Sequence, residues 1–387
     1  MRWISRLRGY FREVRNLESL LAMPADERPL VVYSEDIASY IQFEGYLRAL
    51  IGRYGRQVTY VTSAPDDPLL EHAPNGMVAY YVNRLLPSFM QRLDSPVCLV
   101  TMPDLGTLHV RRPAEKCCCV YVFHSLNSIH EVYRESAFDC YDVFFCTGPH
   151  HKAELEKHFR LCGLNVPILH EVGYYKLDRV AAAHAAYTRK DSQKKTVLVA
   201  PSWGKDNVLE SAGAQVVRRL LALGVRVIIR PHPCFHLPIY PKGRHIVESL
   251  RREFGSHPDV ILEDNINNED SFHEADLMIS DFSGAAFEYA LGTLRPVLFV
   301  DVPRKTRNPR WEKLGLPTFE DTVRHEVGRV ISREDMGRID RSAAELIEDQ
   351  DHHEGHLREL RPRLIYNFGR SAEVGAAIVN DILGARD

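Results

Sequence analysis

The sequence predicts an α/β protein in which two Rossmann-like domains face each other across a cleft, preceded by an amphipathic helix. Three observations carry this. Apolar strand-like runs alternate with helical segments in two successive series, the pattern of parallel sheets covered on both faces. A chain of 387 residues exceeds what one hydrophobic core usually takes. Side chains able to carry chemistry fall just after apolar runs, at the carboxyl edge where open α/β sheets bind ligands.

Residues 1–20 read as the basic amphipathic helix. Trp3, Leu7, Tyr10, Phe11, Val14 and Leu17 recur at helical spacing, with Arg2, Arg6, Arg8, Arg12 and Arg15 largely elsewhere on the wheel. Such a helix suits an anionic membrane surface, or docks on the protein's own core with its arginines solvated. Residues 28–185 read as the first Rossmann-like domain, through LVVYSED, QVTYVTS, PVCLVTMPD, CCCVYVFHS, DVFFCTG and VPILHEVG. An alanine-rich and then charged stretch ending near Lys195 reads as the linker. Residues 194–387 read as the second domain with terminal helices, through TVLVAPSWG, VRVIIRPHP, VILED, LMISDFSG and RPVLFVDV.

Composition narrows the function classes. With 45% hydrophobic and 26% charged residues the chain is that of a soluble globular protein, and a net charge of -3 argues against a general nucleic-acid binder. No stretch approaches the roughly 20 apolar residues that span a bilayer, and arginines interrupt the first apolar residues as they would not in a signal peptide. Eight cysteines show no CxxC pair, so reduced thiols in a cytoplasmic protein are expected. Eighteen histidines include His150-His151, His352-His353 and His356, but no matching carboxylate or thiolate set, so no metal site is expected.

Two segments carry the strongest signal. Arg230-Pro231-His232-Pro233 ends the run VRVII: the arginine can neutralise a phosphate by paired hydrogen bonds, and the histidine can donate to a bridging or leaving phosphate oxygen. The prolines stiffen the turn without spending a backbone donor. Ser280-Asp281-Phe282-Ser283-Gly284 opens a helix, whose unpaired N–H groups form an anion site beside Ser283 and Gly284. Glu288, one turn further, can accept from ribose hydroxyls, and Asp281 can orient neighbouring loops. Ser202 in APSWG points to the same edge, with Trp203 beside it as a base-stacking candidate or an interface plug. In the first half His124 ends a very apolar strand, where an imidazole of ordinary pKa near 6.5 suits a general base on a hydroxyl. Together these residues predict a pocket for a phosphorylated ligand, a nucleotide diphosphate above all.

TVLVAPSWG, IIRPHP, SDFSGAAFEYALGTLRPVLFVD and NFGRSAE, in this order, resemble the CDP-glycerol glycerophosphotransferase family of teichoic acid and capsule synthesis. VGYYKLDRV resembles that family's Gly-Tyr-Pro-Arg-x-Asp-Arg segment, with Tyr175 where proline is usual. FHSLNSIHE stands in place of its Trp-His-Gly-Thr-Pro motif, with Ser125, Leu126 and Asn127 where the family has glycine, threonine and proline. The resemblance implies a GT-B architecture and transfer of a polyol phosphate from a CDP-activated donor to a hydroxyl of an envelope glycan or lipid-linked acceptor, with release of CMP. It implies His124 as the base, Arg230 and His232 on the donor pyrophosphate, Ser202 and Ser283 near phosphate, and Glu288 on the ribose. It implies no obligatory cofactor, and a cytoplasmic protein peripheral on the inner face of the membrane. A GT-B glycosyltransferase or epimerase using a nucleotide sugar fits the same anion site. So does a catalytically silent nucleotide-binding subunit of a surface-polymer complex.

Overall fold

The computed structural model describes residues 2–107, 110–189, 194–263 and 269–386, with the side chains of residues 2–8 excepted. It contains two parallel sheets. The first joins β1 (Leu30–Ser34), β2 (Val58–Thr62), β3 (Met77–Tyr81), β4 (Val97–Val100), β5 (Cys118–Val122), β6 (Val143–Cys146) and β7 (Ile168–Glu171) in the order β3-β2-β1-β4-β5-β6-β7. The second joins β8 (Thr196–Val199), β9 (Arg226–Ile229), β10 (Val260–Leu262), β11 (Leu277–Ser280), β12 (Val297–Val300) and β13 (Gly328–Ile331) in the order β10-β9-β8-β11-β12-β13. Each order reverses once, between β1 and β4 and between β8 and β11, and each reversal opens a crevice at the carboxyl ends of the strands. The central strands β1, β4, β5, β6, β8, β11 and β12 are buried along their whole length, so apolar side chains fill both faces.

The division of the chain differs from the sequence expectation at its end. The helix Ser371–Gly384 leaves the second domain and lies on the first, where Ala376, Val379 and Leu383 share a core with Leu30, Tyr46 and Val58. Gly375 allows this contact, because a Cβ there would stand 2.6 Å from the Tyr46 ring. Arg56 donates to Asn380 Oδ1 at 2.9 Å, tying the crossing helix to the first domain. Residues 194–387 are therefore not one domain: an amphipathic helix at the end of the chain completes the first sheet's cover. The predicted linker ends partly in residues 190–193, which lie outside the described residues.

The N-terminal helix runs Arg2–Ala22 and docks along its second half. Leu17 and Leu20 enter the core beside Phe89, Met90 and Leu93. The buried Glu13 accepts the backbone N–H groups of Asn83 and Leu85, both at 2.6 Å, and Asn16 donates to Tyr81 O at 3.2 Å. Arg12 lies over the Tyr81 ring. Ahead of this docked part Tyr10 and Phe11 are exposed, while the side chains of Trp3 and Leu7 lie outside the described residues.

Candidate active site in the interdomain cleft

Carboxyl ends of strands from both sheets converge on one cleft of about 530 Å³, an ordinary size for a small-ligand pocket. Seven of the eight predicted site residues line it: His124, Ser202, Arg230, His232, Ser283, Gly284 and Glu288. The eighth, Asp281, lies beneath its floor, fully buried, and accepts the Ser202 N–H at 2.7 Å. Burial raises the Asp281 carboxyl above its usual range, against the pull of the Ser202 hydrogen bonds and the Lys305 ammonium. Asp281 thus ties the loop after β8 to the loop after β11.

On the second-domain wall, His232 caps the short 3₁₀ turn Pro233–His236 by accepting the Cys234 N–H on Nδ1 at 3.2 Å. That bond fixes the tautomer: the proton sits on Nε2, which becomes a donor. Burial, helped by nearby Lys305, lowers the His232 pKa to about 4, so the ring is neutral at pH 7. Arg230 is positioned by Ser271 Oγ at 2.9 Å and Glu263 at 3.4 Å and lies over the Phe272 ring. Ser283 is the N-cap of the helix Gly284–Thr293 by its backbone, yet its hydroxyl caps no N–H. Gly284 has a packing role that the sequence did not reveal. A Cβ there would stand 2.4 Å from Asn127 Oδ1 and 2.7 Å from Ser125 Oγ, so any other residue would push these two side chains aside where the first domain's loop closes over the helix start.

On the first-domain wall, His124 follows β5. Its Nδ1 stands 3.1 Å from Thr101 O, and a carbonyl can only accept, so Nδ1 carries the proton and Nε2 a lone pair. The Tyr133 hydroxyl lies 3.2 Å from that Nε2. Burial and the Lys176 ammonium hold the His124 pKa below its ordinary value, keeping the ring a neutral base. The Tyr174 hydroxyl shares its one proton between His124 O at 2.9 Å and Glu288 Oε1 at 2.7 Å, and Lys176 donates to Glu288 Oε2 at 2.7 Å. Glu288 is therefore a bridge from the second domain to the segment that backs His124. Each of its oxygens retains room for one further donor.

Sequence reasoning missed Tyr133, Lys176, Lys305 and Arg307, all of which line the cleft. Arg230 and His232 follow β9 at once, whereas Lys305 and Arg307 stand five and seven residues past the end of β12, so the strand-end signal was weaker there. Lys305 Nζ lies 5.1 Å and Arg307 Cζ 5.8 Å from the Trp203 ring centroid. Trp203 is also packed on the second domain's own core, so its ring is not a free stacking platform. Neither cation makes an ion pair among the described residues. Burial lowers the Lys305 pKa to about 8, with Asp281 opposing. The segment carrying the pair is strapped to the other domain. Glu131, buried, accepts from Arg304 and from Thr306 Oγ1, its carbonyl accepts the Arg307 and Asn308 N–H groups, and Asn308 donates to His130 O. Among the described residues no cluster of His, Cys, Asp and Glu is placed to hold a metal ion.

No protein-family model and no curated protein sequence matches the chain. Solved structures do. The wall teichoic acid polymerase TagF, in a substituted form soaked with CDPG, matches at 14% identity with a TM-score of 0.62, over 99% of this chain and 99% of that one. UDP-GlcNAc 2-epimerase from Neisseria meningitidis, bound to UDP-GlcNAc, matches at 12% identity and a TM-score of 0.53, over 92% of this chain and 99% of the other. Sucrose-phosphate synthase from Thermosynechococcus elongatus matches at 12% identity and 0.52, over 92% and 100%. The two facing parallel-sheet domains of this chain thus form a GT-B fold, the one shared by TagF and these two enzymes.

Proposed function

We propose that the chain transfers a polyol phosphate from a CDP-activated donor to a hydroxyl of an envelope glycan or lipid-linked acceptor. The observation that carries this is the pairing of two neutral histidines of opposite polarity on one cleft: His124 with a lone pair on Nε2, His232 with a proton there. His124 Nε2 takes the proton of the acceptor hydroxyl as its oxygen attacks the β-phosphorus of the donor. The bond from that phosphorus to the bridging oxygen breaks, and CMP leaves with the electron pair. His232 Nε2–H donates to the departing phosphate, while Arg230, Lys305, Arg307 and the free N–H groups at Gly284 balance the charge. Ser202 and Ser283 supply hydroxyls to the same oxygens, and Glu288 accepts from the ribose. TagF's soak with CDPG supports the donor class, and the epimerase's UDP-GlcNAc makes a nucleotide sugar the competing donor.

The two titrations predict a bell-shaped profile. Protonation of His124 removes the base, so kcat/KM rises with pH through a value below 6.5. Deprotonation of Lys305 removes a donor cation, so kcat/KM falls as pH rises through about 8. Lys305→Arg should abolish the alkaline limb below pH 10; an unmoved limb would exclude Lys305 from the donor site.

No metal is obligatory in this scheme, since side-chain cations and a helix start supply the positive charge. Chelation by EDTA should leave most of the turnover, and complete loss restored by magnesium would overturn that part of it.

The exposed Tyr10 and Phe11 of the N-terminal helix are the proposed contact with an anionic membrane surface. Among the described residues no helix is long and apolar enough to cross a membrane. Tyr10→Ser/Phe11→Ser touches no core contact and should weaken binding to phosphatidylglycerol vesicles by about tenfold. Its melting temperature should stay constant; unchanged vesicle binding would place the anchor elsewhere.

A further inference from the structure

A second cavity, of about 860 Å³, opens between the helix Tyr175–Ala186, the end of the helix Gly284–Thr293 and the helix Gln350–Leu364. Five arginines line it: Arg48, Arg179, Arg295, Arg358 and Arg361, against Asp178, Asp351 and Glu354. Most of these charges are committed. Arg48 pairs with Glu44, Arg179 with Glu44 and Glu269, and Arg358 with Glu354. Asp178 accepts the N–H groups of Gly369 and Ser371.

Two arginines are left with carbonyls as their hydrogen-bond partners. Arg295 donates to the carbonyls of His273 and Ala275, and Arg361 donates to Leu291 O at 3.1 Å while its guanidinium lies 3.7 Å over the Phe368 ring. Neither makes an ion pair with a carboxylate among the described residues, and a guanidinium carries five N–H donors, so both keep donors to spare. Their surroundings hold more guanidinium groups than carboxylates, five against three. His184, on the cavity wall, is lowered to about 4 by burial and by Arg295, and Arg361 is itself lowered by burial and by Arg358. Uncommitted guanidinium groups in a partly buried basic pocket are the chemistry that binds phosphate oxygens.

The cavity adjoins the cleft. Lys176 lines the cleft and Arg179, three residues on and so on the same helical face, lines the cavity. Arg179 pairs at 3.0 Å with Glu269, which lines the cleft, so this ion pair stands between the two spaces. Phe368, the cavity's phenylalanine, is already covered by Arg361, which leaves a base little to stack on.

We propose that this cavity binds phosphate groups of a chain-like polyanion, the phosphodiester-bearing acceptor or product of the cleft. That the ligand is such a chain rests on the polyol phosphate transfer proposed above; that the cavity binds phosphate does not.

The test is calorimetric binding of a synthetic glycerol phosphate oligomer, and separately of inorganic phosphate, at low ionic strength. Arg295→Gln/Arg361→Gln should weaken oligomer binding by about tenfold or more. His232→Ala, in the separate cleft, should leave it within about twofold. Arg295→Lys/Arg361→Lys keeps both charges and should retain most of the affinity; comparison of melting temperatures between the two double variants separates lost charge from lost folding. Oligomer affinity equal in wild type and Arg295→Gln/Arg361→Gln, or no binding to wild type, would overturn the proposal. Loss in His232→Ala alone would place the chain in the cleft and overturn it while leaving the transferase reading intact. Inorganic phosphate binding as tightly as the oligomer would overturn the chain-like ligand. Arginine-dependent oligomer binding without any affinity for CDP-glycerol would support the cavity and reject the transferase.

Discussion

His124→Ala is expected to lower kcat by about a thousandfold, within the range that general bases contribute, while leaving the affinity for the nucleotide donor unchanged. The separation follows from where the ring sits. His124 stands on the first-domain wall, its Nδ1–H fixed by Thr101 O, and the proposed donor contacts all come from the second domain. Alanine removes the lone pair that accepts the acceptor's proton and leaves Arg230, His232, Lys305 and the helix start in place. Removing the side chain also frees the Tyr133 hydroxyl, which stands 3.2 Å from Nε2. Tyr133→Phe, which keeps the ring and deletes that hydroxyl, should lower kcat by no more than about tenfold, as one positioning hydrogen bond does. A His124→Ala enzyme with near-normal kcat would remove the base from the mechanism, and one that lost donor affinity instead would move His124 to the donor site.

His232→Ala is expected to lower kcat/KM by about 10² to 10³, with most of the loss in kcat. The ring is neutral and points its only N–H from Nε2, so its contribution is a hydrogen bond that strengthens as charge builds on the leaving phosphate. His232→Gln restores a donor but not the acceptor that holds the Cys234 N–H, and should recover part of the rate. The residue sits on a capped turn beside the core, so the melting temperature should change little. Activity within a fewfold of wild type would refute the assignment. A loss confined to KM would mean that His232 binds the ground state and the transition state equally well.

The two-domain plan and the donor wall were legible because both rest on local signals. Strands such as VFFC and VLFV are continuously apolar where a parallel sheet buries both faces, and Arg230, His232 and Ser283 follow such runs directly. Two of the four edge strands were not: β3 and β13 each have one neighbour and are partly exposed, and GRVI has only two consecutive apolar residues, whereas the edge strands β7 and β10 were expected from VPILHEVG and VILED. The terminal helix was placed on the wrong domain because only its amphipathic face is written in the sequence, and the surface it covers depends on the whole chain. Tyr133, Lys176 and the Lys305–Arg307 pair escaped for a similar reason. Tertiary folding brings them to the cleft, the last two through the strap that Glu131 holds across the domains. Gly284 was found for its helix start, while the close contact it makes with Asn127 joins residues far apart in the chain.

The most direct measurement is calorimetric titration of CDP-glycerol, CDP-ribitol, UDP-sugars and CMP into the wild-type protein and His232→Ala. The account predicts selective binding of the cytidine ligands, with affinity for the CDP-polyols weakened in the variant. Preference for UDP-sugars would make the cleft a nucleotide-sugar site, and absence of nucleotide binding would contradict a donor site in the cleft altogether.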